Sequence, residues 1–250
     1  MDLTIIPLDV GAIQTDKSNL TPRRDYGTPV EAASIIWFID ASPNKIIVDT
    51  SFKSVAMSSR LHHPIKVERR PEQEILRALS AIGVKPEAID IVVLTHLHWD
   101  HCQNNQLFAN ARFIVQREEL RYAIAPLHFH AAMYEALTIN MRPLWLDTPN
   151  IEVVDGDRAI AEGVSVIFTP GHTPGYQSVL VESNHGKIAI AGCMVPTFEN
   201  WPGSQQEDYL PSSLYVNLEQ YWESLRRMDR MADLILPGHD PGVFKKGKYP

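Results

Sequence analysis

Apolar and polar positions along this chain alternate in two periods, and the shorter period dominates. Brief runs rich in Val, Ile and Leu, bounded by Gly, Pro, Asn or Asp, predict strands over 3–10, 33–39, 45–48, 91–94, 112–115, 151–154, 164–168, 177–181, 187–191 and 232–236. Ser42-Pro43-Asn44, Asp155-Gly156-Asp157 and Asn184-His185-Gly186 carry the turn chemistry between neighbouring strands. The helical period surfaces in three places. It is clearest over 71–82, where Pro71 suits a first helical position, Ile75, Leu76, Leu79 and Ile82 share a face, and Gly83 suits the stop. A shorter helix is predicted over 117–125, and a longer one over 217–231 with Tyr221, Trp222, Leu225 and Met228 on one side. Segments 14–30, 52–70 and 196–215 read as loops, with His62 and His63 as surface residues of the second. Residues 126–145 mix apolar side chains with histidines and two prolines. They read either as a helical hairpin on the core or as a cap giving a substrate an apolar wall.

Composition narrows the class. No repeat, low-complexity tract or charged linker divides the 250 residues, so one domain spanning 1–250 is expected, long enough to bury a core without disulfides. A formal net charge of −7, with Arg23-Arg24 and Arg69-Arg70 as isolated basic pairs, argues against nucleic acid or an anionic membrane as partner. Met1-Asp2-Leu3-Thr4 shows neither the basic nor the apolar region of a secretory signal, and no apolar stretch reaches membrane-spanning length. Cys102 and Cys193 are the two cysteines, which fits a reducing compartment. A cytoplasmic protein acting on a small molecule is the expectation.

The chemistry concentrates in Thr95-His96-Leu97-His98-Trp99-Asp100-His101, directly after the buried-type strand 91–94. In extended backbone His96 and His98 point the same way and can grip one ion. Asp100 and His101 follow where the chain bends, placed for a second. Neutral imidazole nitrogen and carboxylate oxygen are the donors that zinc and its neighbours take. Further donors should also sit at strand ends, and three places qualify: His172 in Pro170-Gly171-His172-Thr173-Pro174-Gly175, Cys193 after Gly192, and His239 after Gly238. Asp49, closing strand 45–48, reads either as support for this site or as a turn cap. Cys102 reads as a small buried residue near a helix start.

His96-x-His98-x-Asp100-His101, the later Pro-Gly-His-Thr-Pro-Gly turn and Gly238-His239 together resemble the metallo-β-lactamase superfamily over about residues 3–242. The chain is most similar there to the quorum-quenching N-acyl homoserine lactonase branch. The resemblance implies an α+β fold, a four-layer αβ/βα sandwich with metals on one edge. It implies that His96, His98 and His172 hold a first metal and Asp100, His101 and His239 a second. It implies two divalent ions, zinc foremost, and a homodimer as one expectation for assembly. Cys193 departs from the pattern, because most of the superfamily has an Asp there whose carboxylate bridges the metals. Gly-Cys is instead similar to zinc β-lactamases that use a Cys ligand. Three readings of Cys193 stay open: a thiolate ligand or bridge, a weakly engaged one that leaves the second metal loose, and a buried bystander. A thiolate would favour zinc over manganese or iron and add an oxidation liability. A second departure is Pro196, where similar lactonases have a Tyr that assists the substrate carbonyl; Tyr176, Tyr209 and Tyr215 are the substitutes to examine.

The expected activity is that of a hydrolase. A hydroxide held between two metals, available at neutral pH, would open a lactone or cleave a related ester of a hydrophobic small molecule, with Asp100 orienting it or shuttling its proton. Rivals are cleavage of a β-lactam-like cyclic amide, iron-dependent oxygen chemistry on the same ligands, and a non-catalytic sensor.

Overall fold

The computed structural model describes residues 3–62, 65–201 and 208–250; the reading of His63 lies outside them. In chain order the strands and helices are β1 (Thr4–Asp16), α1 (Lys17–Leu20), β2 (Pro29–Ala41), β3 (Asn44–Val48), α2 (Val55–Leu61), β4 (Lys66–Glu68), α3 (Ile75–Ala81), β5 (Ile91–Val93), α4 (Trp99–Cys102), β6 (Arg112–Gln116), α5 (Arg117–Ile124), β7 (Ile151–Val154), β8 (Arg158–Ala161), β9 (Val164–Phe168), β10 (Gln177–Ser183), β11 (Gly186–Gly192), α6 (Leu218–Met231) and β12 (Leu234–Pro237). They build two mixed sheets, ordered β4-β1-β2-β3-β5-β6-β7 and β12-β11-β10-β9-β8.

Strand alternation explains the layers. In β5, Ile91 and Val93 face the second sheet, whereas Val92 and the following Leu94 face the opposite way, which is why the run is apolar at every position. The inner faces of both sheets meet in one core, with Ile39, Ile46 and Val93 from one side and Val166, Val179, Ile190 and Leu236 from the other. The outer face of the larger sheet is covered by Ile75 and Leu79 of α3, Ala123 of α5, Tyr134 and Trp145. The outer face of the smaller sheet is covered by Tyr221, Leu225 and Met228 of α6. The chain is thus a four-layer αβ/βα sandwich, as expected. Among the described residues no helix is long and apolar enough to cross a membrane.

Several local expectations give way. The helix expected over 71–82 splits into a 3-10 turn, Pro71–Gln73, and α3, because Glu74 takes an extended ψ of 130°. The buried Gln73 side chain accepts from the Arg70 N–H and donates to Asp9 at 2.7 Å in each case, drawing the first turn onto β1. Residues 14–30 are not all loop: β1 continues to Asp16 because 12–14 also pair with β4, a strand the apolar pattern does not reveal. Strand β8 is likewise unanticipated. Residues 126–145 form 3-10 turns (His128–His130, Leu137–Ile139 and a third, Leu144–Asp147) instead of a helical hairpin. Glu135 and Asn140 take positive φ there, which interrupts any longer helix. His62 is buried, not a surface residue: it stacks on Trp99 at 4.1 Å between ring centres and bonds Glu135 at 2.9 Å.

Candidate metal centre

Strand direction delivers the donors to one edge. β3 and β5 run parallel, as do β11 and β12, while β9 is antiparallel to β10 and β10 to β11, so β9, β11 and β12 share a direction. The segments after β5, β9, β11 and β12 carry His96–His101, His172, Cys193 and His239 respectively. Gln177 ties the two sheets together at this edge, its buried amide donating to Leu94 O at 2.8 Å and to Ile114 O at 2.9 Å. The glycines explain how the loops fit. A Cβ on Gly171 would lie 2.3 Å from Tyr221 Cα and one on Gly175 only 1.9 Å from Glu119 N, so the His172 turn is wedged between α6 and α5. A Cβ on Gly238 would meet the Gly192 backbone at 2.6 Å, so the last turns of β11 and β12 touch and bring Cys193 beside His239.

Three donor groups result: His96, His98 and His172; Asp100, His101 and His239; and His96, His101 and Cys193, the ligand atoms of each lying within 4.8 Å of one another. All seven residues singled out in the sequence therefore converge. For four imidazoles the Nδ1–H is committed elsewhere. His172 donates to Leu214 O at 2.7 Å, His239 to Ala33 O at 3.0 Å and His101 to Asp49 at 2.8 Å. His96 donates to the Thr95 hydroxyl at 3.0 Å, which in turn donates to Asp49. These bonds fix how the rings face and aim each Nε2 at the centre. Asp49 therefore supports the centre, holding His101 and Thr95 together, and its positive φ of 61° marks the tight end of β3.

Whether a metal fits is decided by the polar atoms left over. Among the described residues, His96 Nε2, His98 Nε2, His172 Nε2 and Asp100 Oδ1 are buried with no hydrogen-bond partner. Leaving one such atom unpaired costs about 1–3 kcal/mol, so three in the His96–His98–His172 group and one in the neighbouring Asp100–His101–His239 group are explained by cations that the groups hold. The donor set fits a pair of divalent ions.

Electrostatics differ across the site. Burial, and then the neighbouring imidazoles, hold His96 and His98 well below the ordinary histidine range. Burial would push the Cys193 thiol up, but the charges on His101 and His239 hold it well below the usual value. Its Sγ lies 3.2 Å from His101 Nε2 and 3.1 Å from His239 Nε2. Burial opposes charge on His101 and His239 too, yet Cys193 raises both, aided by Asp100 and, for His101, by Asp49. Asp100 is held well below the carboxylate range; burial works against this, and the His101 charge prevails. Cys102 is a small buried residue on α4, its S–H directed at His98 O at 3.2 Å.

Over the donors lies a cavity of about 100 Å³, walled by Leu20, Met133, Pro196, Ser212 and Leu214. Met133 comes from the 126–145 segment, which therefore does cap the site, although its Leu127 and Phe129 point to solvent. A larger groove of about 770 Å³ between Arg23, Tyr209 and Trp222 shares no residue with it. Among the described residues no tyrosine lines the donor cavity, and Ser212 supplies the one hydroxyl in its wall. Tyr176 is fully buried and holds the Cys193 turn, accepting its N–H at 2.7 Å, and Tyr209 bonds Asp229. Sequence reasoning missed Gln177, Glu119 and Tyr134, which hold the site's loops. Glu119 sits in an Arg-Glu-Glu stretch with the look of a solvated first helical turn, so no local signal marks it.

Residues 33–239 match the Metallo-beta-lactamase superfamily. The chain is 27% identical to the N-acyl homoserine lactonase AiiA of Bacillus thuringiensis subsp. kurstaki over 235 residues, which cover 89% of this chain and 86% of that protein. It is 26% identical to the N-acyl homoserine lactonase AttM of Azorhizobium caulinodans over 259 residues, 99% of this chain and 97% of that one. Among solved structures it is similar to an N-acyl homoserine lactone hydrolase with the product N-hexanoyl-L-homoserine bound at its catalytic metal centre. That match has a TM-score of 0.79 at 24% identity and covers 97% of this chain and 95% of the other.

Proposed function

Because this chain belongs to the metallo-beta-lactamase superfamily and is a metal-dependent hydrolase, we propose that it opens the ring of a lactone bearing an apolar substituent. The observation that carries the reading is the cluster of buried, unpartnered Nε2 and Oδ1 atoms beneath an apolar cavity. His96, His98 and His172 would hold one ion, and Asp100, His101 and His239 the other, with Cys193 as a thiolate ligand in the second set. Zinc is the ion this donor mixture favours. When bound, such ions acidify a water and polarise a carbonyl.

The chain's own residues do the rest. Leu20, Met133, Pro196 and Leu214 exclude bulk water and seat the apolar part of the substrate. Asp100, with Oδ1 buried and unpaired, orients the attacking water and carries its proton to the ring oxygen as the C–O bond breaks. Asp49 and the backbone acceptors Ala33 O and Leu214 O keep the imidazoles aimed. One domain, a cytoplasmic location in keeping with two unpaired thiols, and a homodimer, taken over from the similar lactonases, belong to the same reading.

Zinc-loaded protein assayed with lactones, thioesters and cyclic amides should turn over lactones fastest. Activity on cyclic amides alone would transfer the reading to a β-lactam-like ring, and iron with oxygen consumption to an oxygenase. Activity on none would end it.

A further inference from the structure

We propose that Glu119 is a positioning residue for the His96–His98–His172 set, one carboxylate that ties together the segments carrying all three imidazoles. It lies on the first turn of α5, fully buried, and belongs to none of the donor groups. Its Oε1 accepts the Leu97 N–H at 2.9 Å, the peptide between His96 and His98. Its Oε2 accepts the Thr173 hydroxyl at 2.6 Å, next to His172. The same Oε1 accepts the Tyr134 hydroxyl at 2.8 Å, and the Tyr134 ring packs edge-on to His98, 4.7 Å between centres.

A buried carboxylate is costly unless its oxygens are hydrogen-bonded, and these three donors engage both of them. They come from three stretches far apart in sequence, so the interaction cannot serve any one loop alone. Gly175 makes it reachable, since any side chain there would collide with Glu119 N and lift the His172 turn off α5. The Asp100–His101–His239 set takes its supports from Asp49 and Ala33 O, neither of which bonds Glu119, although Asp49 also reaches His96 through Thr95. Glu119 therefore acts first on the ion of the His96–His98–His172 set. The inference rests on the reading that these sets hold divalent ions.

Glu119→Met would cut all three bonds and risks failing to fold, so the test cuts them singly. Zinc binding to metal-free protein is measured by competition with a chromophoric chelator in the parent, Thr173→Val, Thr173→Ser and Tyr134→Phe. Thr173→Val keeps the branched shape and loses the O–H. It should weaken one of the two zinc-binding steps by about 10- to 100-fold, the scale for losing an outer support of a ligand, and leave the other step in place. Thr173→Ser should restore that step, and Tyr134→Phe should weaken the same step by less. Equal loss in both steps, no loss in either, or failure of Thr173→Ser to restore would overturn the proposal. A parent protein that binds no zinc would instead overturn the metal reading, and this proposal with it.

Discussion

The two donor sets lie side by side and differ in how far neighbouring side chains already engage them. In the His96–His98–His172 set each Nε2 is buried without a hydrogen-bond partner, and burial holds His96 and His98 well below the ordinary histidine range. In the Asp100–His101–His239 set, Cys193 sulfur already stands against two imidazoles, a thiolate beside rings whose affinity for protons is raised. An ion entering the first set meets ring nitrogens that no other side chain engages. One entering the second competes with the contacts that Cys193 sulfur makes to His101 and His239. The difference teaches that Cys193, standing against both His101 and His239, gives the second set internal contacts that the first set lacks.

The largest effect expected is from His98→Ala. Removing a donor from the set with no internal substitute should abolish tight binding of its ion and lower lactone kcat/KM on the order of 10³-fold or more. Metal analysis beside turnover checks this; a variant that keeps both ions and its rate would dissolve the distinction between the sets. Cys193→Ser should act on the other side, weakening the second ion by about 10- to 100-fold or more with the first retained. Chelator competition reads that loss, and cobalt-loaded protein should lose a near-ultraviolet thiolate absorption. If both ions bind as in the parent, the sulfur is a bystander.

The smallest effect concerns pH and sharpens the character of the first set. His130 lies 5.5 Å from His98, and burial, then the His172 charge, lower it from 6.5 to about 4. Because the folded value lies below the unfolded one, its contribution to stability is fully present above about pH 6.5. That contribution is lost as the pH falls through about 4, when the unfolded chain binds the proton more readily. His130→Gln should therefore flatten the acid slope of Tm between those values in metal-free protein. A slope equal to the parent's would place the acid sensitivity elsewhere.

Much of the site could be read from particular residues before any fold was known. His96, His98, Asp100 and His101 follow an unmistakable buried strand, and the Gly before each of His172, Cys193 and His239 marks a strand running out into a bend. The supports could not be read that way. Glu119 and Gln177 look like ordinary polar residues, and His62 like loop surface, because what their side chains bond is 15 to 83 residues away. The helix over 71–82 failed for a related reason: its period is sound, but Gln73 prefers a partner on β1 to a place in the first turn.

By itself, then, the order of residues determined which atoms are available as donors, which runs must be buried, and that four strands end in metal-type side chains. These depend on local chemistry and spacing. Only the tertiary structure decided that the donors form adjoining groups that share His96 and His101, that Cys193 meets His101 and His239, and that the carbonyl-assisting tyrosine has no counterpart among the described residues of the cavity wall. Those outcomes depend on which strand ends touch, and touching is governed by the packing of two sheets whose contacts span the whole chain.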